Sequence, residues 1–202
     1  MNKTIEIHRD DEASKTGMWL FLFTEMLLFA GLFVVYSVYR FRNGTAFHLA
    51  AHELSVTVGT ANTIILLISS ATIAMSITAI QRNNKKLSLI LLFITLILGF
   101  LFLVNKYFEW GVKIEHHIYP GSAIMAERGQ GDILFFGLYY FMTGLHALHI
   151  IIGLAFILVV FFRIWNNKLS HDNFALHENA GLYWHLVDLI WIFLFPLFYL
   201  IT

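Results

Sequence analysis

Ionisable side chains interrupt otherwise apolar stretches of this sequence, and they are the first candidates for chemistry. Glu25 lies in LFLFTEMLLFAGLF, and His146 and His149 lie in MTGLHALHIIIG. His185 and Asp188 follow in YWHLVDLIW. Imidazole is a frequent metal ligand, and a carboxyl group inside a membrane is often functional and can hold a proton. These residue types therefore predict a metal centre, a proton-holding site, or hydrogen bonds that join helices.

The histidines in the apolar runs could together form a metal site. His146 and His149 are three residues apart and share one helix face, and His185 could add a ligand from another helix. Asp188 could be a fourth ligand or could orient a histidine. In the competing interpretation each side chain bonds a neighbouring helix, as polar residues in membranes commonly do. We favour this second interpretation, which predicts no metal in this chain, because three membrane histidines are too few to ligate haems and copper together.

Glu25 poses a separate problem, because an ionised carboxylate in the middle of a membrane costs several kcal/mol. Counted from Thr16, where its apolar run begins, Glu25 is roughly 13 Å deep at the rise of an α-helix. We therefore expect its carboxyl group to be neutral, paired or facing water. A protonated Glu25 would hold a proton and react with hydrophobic carboxyl reagents, or it would simply bond a neighbouring helix.

Other polar residues are expected to stabilise the structure. We predict that His185 and Asp188 face inward and satisfy one another or nearby helix groups. Glu178 lies close to the start of the last apolar run, where it could bond the backbone or His185. Glu109 follows Lys106 by three residues at the end of the third run, a spacing typical of an ordinary ion pair at the membrane interface.

Five apolar runs supply the elements that would position these residues. The chain of 202 residues is 58% hydrophobic and 13% charged, about half of the roughly 25% charge typical of soluble domains. About 20 helical residues cross a bilayer. We therefore predict an all-α, polytopic membrane protein that forms a single domain over residues 1–202. Its bundle of five transmembrane helices is expected at about residues 16–39, 58–80, 87–108, 133–162 and 181–201.

Composition also restricts the function. The formal net charge is zero, which gives no electrostatic basis for binding nucleic acid. The absence of cysteine excludes disulfides, thiolate zinc sites and iron–sulfur clusters. The second apolar run, VGTANTIILLISSATIAMSITAI, is rich in small and hydroxyl side chains, which allow close helix approach and hydrogen bonds across the contact. It is therefore predicted to be a packing helix.

The distribution of basic residues predicts the orientation in the membrane. An odd number of spans places the two termini on opposite sides. Basic residues are more numerous on the N-terminal side (Lys3, Arg9, Lys15, Arg82, Lys85, Lys86, Arg163 and Lys168) than on the other (Arg40, Arg42, Lys106, Lys113 and Arg128). By the positive-inside rule, the N-terminus is expected in the cytoplasm and the C-terminus outside.

Three stretches together resemble a known family. GMWLFLFTEMLLFAGLF, TGLHALHIIIG and ENAGLYWHLVDLIWIFLFPLFYL are similar to subunit III of the haem–copper oxidases, the cytochrome c oxidase subunit III family. The resemblance extends from about Lys15 to the end of the chain. It includes the specific pattern G-x-H-x-x-H followed by Y-W-H-h-V-D-h-h-W, in which h is apolar.

The resemblance implies a non-redox subunit with no cofactor of its own and no catalytic residue. Haem and copper would lie in partner subunits, and the partners would be subunits I and II, membrane phospholipids and, through the complex, cytochrome c. The complex would reduce O₂ to water and translocate protons in a bacterial plasma (inner) membrane. This chain would stabilise subunit I and sustain its proton uptake.

The resemblance also assigns roles to residues. Glu25 matches the glutamate that reacts with carbodiimide in this family. Five matched residues would have helix-packing or lipid-site roles and would bind no metal: His146, His149, Glu178, His185 and Asp188. Many members have seven spans, whereas five are predicted here. In those members the extra N-terminal pair helps to form a cleft that holds phospholipids, so another subunit would have to complete that cleft.

Alternative functions remain open at this point. A relative could serve a quinol oxidase or act as an accessory to a nitric oxide reductase. A different class of function is an autonomous membrane metalloprotein or proton channel, which would use His146, His149, His185 and Asp188. A neighbouring gene for a subunit II with a dinuclear copper motif would indicate cytochrome c as the electron donor.

Overall fold

The computed structural model describes residues 11–169 and 174–201, and all regular elements in these residues are α-helices. Five of the helices are long and apolar enough to cross a membrane. These are α1 (Asp11–Arg42), α3 (Val56–Gln81), α4 (Lys85–Glu115), α6 (Gln130–Trp165) and α7 (Ala175–Tyr199). Two short helices, α2 (Gly44–Ala51) and α5 (Ala123–Arg128), lie in the connections. The prediction of an all-α polytopic membrane protein is confirmed.

Each predicted span overlaps one long helix, but the helices extend into polar sequence. Asn84 caps α4 by accepting a hydrogen bond from Leu87 N at 3.2 Å, and the helix continues to Glu115, beyond the predicted end at residue 108. Likewise α7 begins at Ala175 and not at residue 181. Hydropathy detects the membrane-spanning part of a helix, whereas the helix itself ends where its backbone hydrogen bonds end.

Helix α7 occupies the centre of the bundle and α1 its edge. Helices α3 and α4 form an antiparallel pair, and α7 packs against α3, α6 and α1. In the most apolar segment of α7, 56% of the residues are buried, whereas only 11% are buried in the corresponding segment of α1. The α2–α5 end, which we define as the end of the bundle with those two short helices, also contains the N-terminus of α3 and the C-terminus of α4.

Trp184 joins four helices near the middle of the bundle. Its fully buried indole lies on α7 against two glycines, Gly99 of α4 and Gly153 of α6. The indole Nε1 donates a hydrogen bond of 3.0 Å to Ser69 Oγ on α3. Thr63 of α3 accepts a similar bond from Trp191 on α7. Small and hydroxyl residues of α3 therefore pack as the sequence predicted.

Gly99→Ala should destabilise the chain by about 1–3 kcal/mol, because the added methyl group overpacks this contact. A Cβ atom at Gly99 would lie 2.7 Å from both Leu154 Cδ2 and Trp184 Cη2. Gly111 in the same helix meets no atom within 4 Å, so Gly111→Ala is the matched control. Thermal unfolding of the purified variants tests this prediction. Equal midpoints for the two variants would show that the contact around Trp184 can relax freely.

Candidate functional site

Glu25 and His149 meet between α1 and α6. Glu25 Oε2 lies 2.9 Å from His149 Nε2, and the other ring nitrogen, Nδ1, lies 2.7 Å from the carbonyl oxygen of Leu145. The Glu25 side chain is 18% exposed and that of His149 is 8% exposed. The aromatic rings of Phe29 and Tyr183 pack against the imidazole. Glu25 is therefore paired, which is one of the three states expected from its depth.

The geometry fixes the number of protons shared by this pair. A carbonyl oxygen only accepts hydrogen bonds, so His149 Nδ1 must hold a hydrogen and donate it to Leu145. One proton then lies between His149 Nε2 and Glu25 Oε2. Either a neutral glutamic acid donates to a neutral imidazole, or an imidazolium donates to a carboxylate. The pair has no net charge in either form, which reduces the cost of burying it in a membrane.

The remaining membrane histidines lie in separate environments. His185 Nδ1 is 2.7 Å from the hydroxyl oxygen of Ser70 on α3. His146 is fully buried, and neither of its ring nitrogens has a hydrogen-bond partner. Its ring centroid lies 5.6 Å from that of Phe102 and 5.2 Å from that of Trp191. The helices that hold these histidines therefore direct them to different neighbours.

The arrangement of these histidines lends no support to the metalloprotein alternative. His149 is turned toward Glu25, His185 toward Ser70, and His146 toward aromatic rings. Within residues 11–169 and 174–201, no group of three or more His, Cys, Asp or Glu side chains could hold a metal ion. Two histidines on one helix face need not share a ligand, because each ring rotates toward its own neighbouring helix.

Asp188 does not bond His185, so of the two alternatives predicted for this pair, mutual bonding or bonding to nearby helix groups, His185 takes the second. Asp188 is 3% exposed, and its carboxyl oxygens make no well-formed hydrogen bond, although the Ser70 hydroxyl that contacts His185 also lies near them. The ring of His185 is instead engaged with α3. An ionised carboxylate without a well-formed hydrogen bond would be very costly at this position, so the structure is consistent with a protonated Asp188.

Glu178 anchors α1 to the start of α7. Its carboxylate lies 2.7 Å from the ammonium nitrogen of Lys15 on α1, and neither His185 nor its own backbone takes this place. Next to it, Asn179 Nδ2 donates a 3.1 Å hydrogen bond to Ser14 Oγ. Sequence reasoning considered only partners within the last run, because a partner in the first helix has no local signature.

Lys106 and Glu109 form a buried ion pair, which corrects the expectation of an ordinary interfacial one. Lys106 Nζ lies 3.0 Å from Glu109 Oε2, and the two side chains are only 4% and 5% exposed. Lys106 also donates to the hydroxyl of Tyr199 at 2.6 Å. The hydroxyls of Tyr139 and Tyr199 both donate to Glu109 Oε1. We call these four residues the Lys106–Glu109 cluster.

Aromatic rings surround the ammonium group of this cluster. Lys106 Nζ lies 4.7 Å from the ring centroid of Trp191 and about as close to the rings of Tyr139 and Tyr199. Rings at such distances stabilise a desolvated cation. The cluster joins α4, α6 and α7, and the i,i+3 spacing of Lys106 and Glu109 was its only local signal in the sequence.

A second group of charges lies at the α2–α5 end. Arg128 of α5 forms an ion pair with Glu53, and Lys113 Nζ donates a 3.2 Å hydrogen bond to the backbone oxygen of Glu53. Lys106 and Lys113 are both buried. Both were counted among the basic residues on the side opposite the N-terminus. Lys3 and Arg9, which contributed to the predicted orientation, lie outside the described residues.

Comparison with known proteins identifies sequences similar to this chain. The sequence model of a family described as cytochrome c oxidase subunit III matches residues 8–202. A protein named cytochrome c oxidase subunit 3 from Alkalihalophilus pseudofirmus is 32% identical over 91% of this chain and 84% of that protein. A probable quinol oxidase subunit 3 from Staphylococcus saprophyticus is 27% identical over 93% of this chain and 89% of that protein.

A fused protein is also similar. A heme-copper oxidase subunit I+III from Aeropyrum pernix is 31% identical over 93% of this chain but only 22% of that protein. The chain therefore matches one segment of a larger polypeptide whose name combines two oxidase subunits.

Proposed function

Because the chain belongs to the cytochrome c oxidase subunit III family, we propose that it is the non-redox subunit III of a bacterial respiratory oxidase. The chain is then one part of a haem–copper oxidase complex, and haem and copper are held by its partners. The carrying observation is that the intramembrane histidines contact different neighbours, with His149 and His185 bonded to neighbouring helices. Such contacts suit a subunit that packs and positions helices, not one that carries electrons.

In this proposal the chain acts as a single domain that stabilises subunit I. The fusion of the two subunits in the Aeropyrum protein supports direct contact between them, because fused domains are held at high effective concentration. The chain would lie in the plasma (inner) membrane with its N-terminus in the cytoplasm. Subunit II and bound phospholipids complete the proposed set of partners.

Glu25 is the residue that we propose to link this subunit to proton uptake. Its carboxyl and His149 hold one shared proton at a partly exposed position between α1 and α6. In this proposal the shared proton of the pair is the group that connects this subunit to proton uptake. His146, Glu178, His185 and Asp188 are proposed to maintain helix packing or lipid contacts.

Co-purification tests the proposed function. An affinity-tagged chain, extracted gently from its native membrane, should elute with a haem-containing subunit and with oxygen-consuming activity. The same chain expressed without oxidase partners should show no haem absorbance. Haem absorbance in the chain alone, or elution without any haem protein, would contradict the proposal.

The electron donor is a finer part of the proposal. We propose cytochrome c as the donor, and relatives named for both cytochrome c and quinol oxidases make the comparison necessary. Oxygen consumption by the purified complex should be supported by reduced cytochrome c. Consumption supported only by a reduced quinone would reassign the complex to the quinol oxidases while leaving the subunit III proposal intact.

A further inference from the structure

Two histidines of α2 face each other at the α2–α5 end. His48 lies in the last turn of α2, and His52, four residues later, is the residue at which this helix ends. Their Nε2 atoms lie 3.3 Å apart, and the two ring planes are nearly perpendicular. Residues four apart lie on one face of a helix, so the helical backbone itself brings the two rings together. His52 is exposed, and the pair is therefore accessible from outside the chain.

One hydrogen atom lies between the two rings. A neutral imidazole has one N–H donor and one unprotonated nitrogen, so one of the two Nε2 atoms donates to the other. An unprotonated ring nitrogen is also the atom through which histidine binds metal ions. A metal ion can therefore take the place of this hydrogen when the rings rotate so that both lone pairs are directed to one point.

The distance between the two nitrogens matches a tetrahedral metal ion. Zn–N bonds are about 2.0–2.1 Å long, and two ligands of a tetrahedral ion are then about 3.3–3.4 Å apart. Two neighbouring ligands of a square-planar ion with bonds of the same length would be about 2.9 Å apart. The observed 3.3 Å fits the tetrahedral ion, and it exceeds the roughly 2.7–3.2 Å of ordinary N–H···O hydrogen bonds. Zn²⁺ prefers tetrahedral coordination, and two histidines four apart on one helix face also bind it in the H-E-x-x-H motif.

The two histidines would supply half of the ligands of such an ion. In the described part of the chain, they belong to no cluster of three or more His, Cys, Asp or Glu side chains. Glu53, the next residue in the sequence, is paired with Arg128. Water molecules would therefore fill the two remaining positions, and the ion would exchange with the surrounding medium.

We propose that His48 and His52 bind one Zn²⁺ ion through their Nε2 atoms. Each ring then has its hydrogen on Nδ1, so the neutral pair releases no proton when the ion binds. His48 Nδ1 is buried and has no hydrogen-bond partner among the described residues, which limits the affinity, because metal-binding histidines usually donate from their second nitrogen. The ion lies on α2 and not among the membrane-spanning helices, and it transfers no electrons because Zn²⁺ has no redox chemistry.

Titration calorimetry tests this site in the full-length chain, with any subunits that accompany it. The protein is purified in a non-ionic detergent, treated with a chelator and titrated with ZnCl₂ alone. The wild-type protein should show a Zn²⁺-binding step that is weakened about tenfold or more in His52→Gln, because the second imidazole no longer acts at high effective concentration. His52 is exposed and glutamine can still bond His48 Nε2, so this change should preserve the fold.

Two further variants control for the ligand and its position. His52→Cys replaces one zinc ligand with another in a chain that has no other cysteine, and it should restore the binding. His116→Gln removes an exposed histidine at the end of α4 and should leave the affinity unchanged.

Three results would overturn the proposal. The first is the same Zn²⁺ affinity in the wild-type protein and in His52→Gln. The second is a His52→Cys variant that binds Zn²⁺ no more tightly than His52→Gln does. The third, which applies even if the variants do not fold, is the absence of any binding step in the wild-type protein. The test does not depend on the proposed oxidase function.

Discussion

Replacing Glu109 with glutamine should destabilise the helix bundle by about 3–5 kcal/mol, because it leaves the ammonium group of Lys106 buried without an opposite charge. Both side chains are almost fully buried, so water cannot replace the lost charge. Glutamine keeps an oxygen that can accept from Tyr139 and Tyr199, and the loss is therefore mainly electrostatic. Unfolding of the purified chain in a graded detergent mixture measures the change in free energy.

A double variant separates the buried charge from the lost contact. Lys106→Gln combined with Glu109→Gln removes both charges and should recover most of the stability lost in the single variant. Glu53→Gln is the matched control, because Glu53 and its partner Arg128 are about one-third exposed. Its effect should stay below about 1 kcal/mol. If Glu53→Gln and Glu109→Gln cost the same, burial of the Lys106–Glu109 pair has no energetic importance.

Glu25→Gln should abolish carbodiimide labelling of this chain while leaving its assembly intact. Carbodiimides modify protonated carboxyl groups, and the Glu25 carboxyl either holds the shared proton or can take it from His149. The glutamine amide can donate to His149 Nε2 from the same position, so the contact between α1 and α6 is preserved. Mass spectrometry of peptides from the labelled complex measures the site and the extent of modification.

Glu12→Gln is the control for this measurement. Glu12 lies in the first turn of the same helix and is exposed, so removing its carboxyl group should leave the labelling unchanged. Undiminished labelling of Glu25→Gln would refute a reactive acid at this position. Label found on Asp188 would identify the second membrane carboxyl as the reactive one.

The membrane helices could be predicted from sequence because hydropathy acts on each segment separately. A helix such as α6, with 36 residues, contains an apolar run that needs no partner to be recognised. That α3 is a packing helix could also be predicted, because its small and hydroxyl residues allow close helix approach and hydrogen bonds across the contact. The polar ends of α4 and α7 were missed, because the continuation of a helix outside the membrane leaves no hydropathy signal.

The candidate site was only partly predictable, because its contacts join distant segments. The sequence indicated that Glu25 is neutral, paired or facing water, and a membrane carboxyl imposes this requirement on any fold. It did not indicate that His149 would be its partner, nor that Asp188 would make no well-formed hydrogen bond. Which face of one helix meets which face of another depends on the packing of the whole bundle.

In the Lys106–Glu109 cluster, too, the contacts between distant segments could not be predicted from the sequence. The spacing of the two residues predicted an ion pair, and an ion pair is present. Its burial depends on Tyr139, Tyr199 and Trp191, which belong to helices that are far away in sequence. A local motif therefore gave the correct chemistry and the wrong environment.

The attachment of α1 has a consequence for biosynthesis. A ribosome makes the chain from its N-terminus, so α1 leaves the ribosome before α6 and α7. Three of its polar partners come much later: His149 lies 124 residues after Glu25, and Glu178 and the Leu197 carbonyl that binds Tyr36 lie farther along still. During synthesis, Glu25 is therefore in the insertion machinery or in lipid before its imidazole partner has been made. The polar contacts that hold α1 at Glu25, Lys15 and Tyr36 can therefore form only after α6 and α7 have been made.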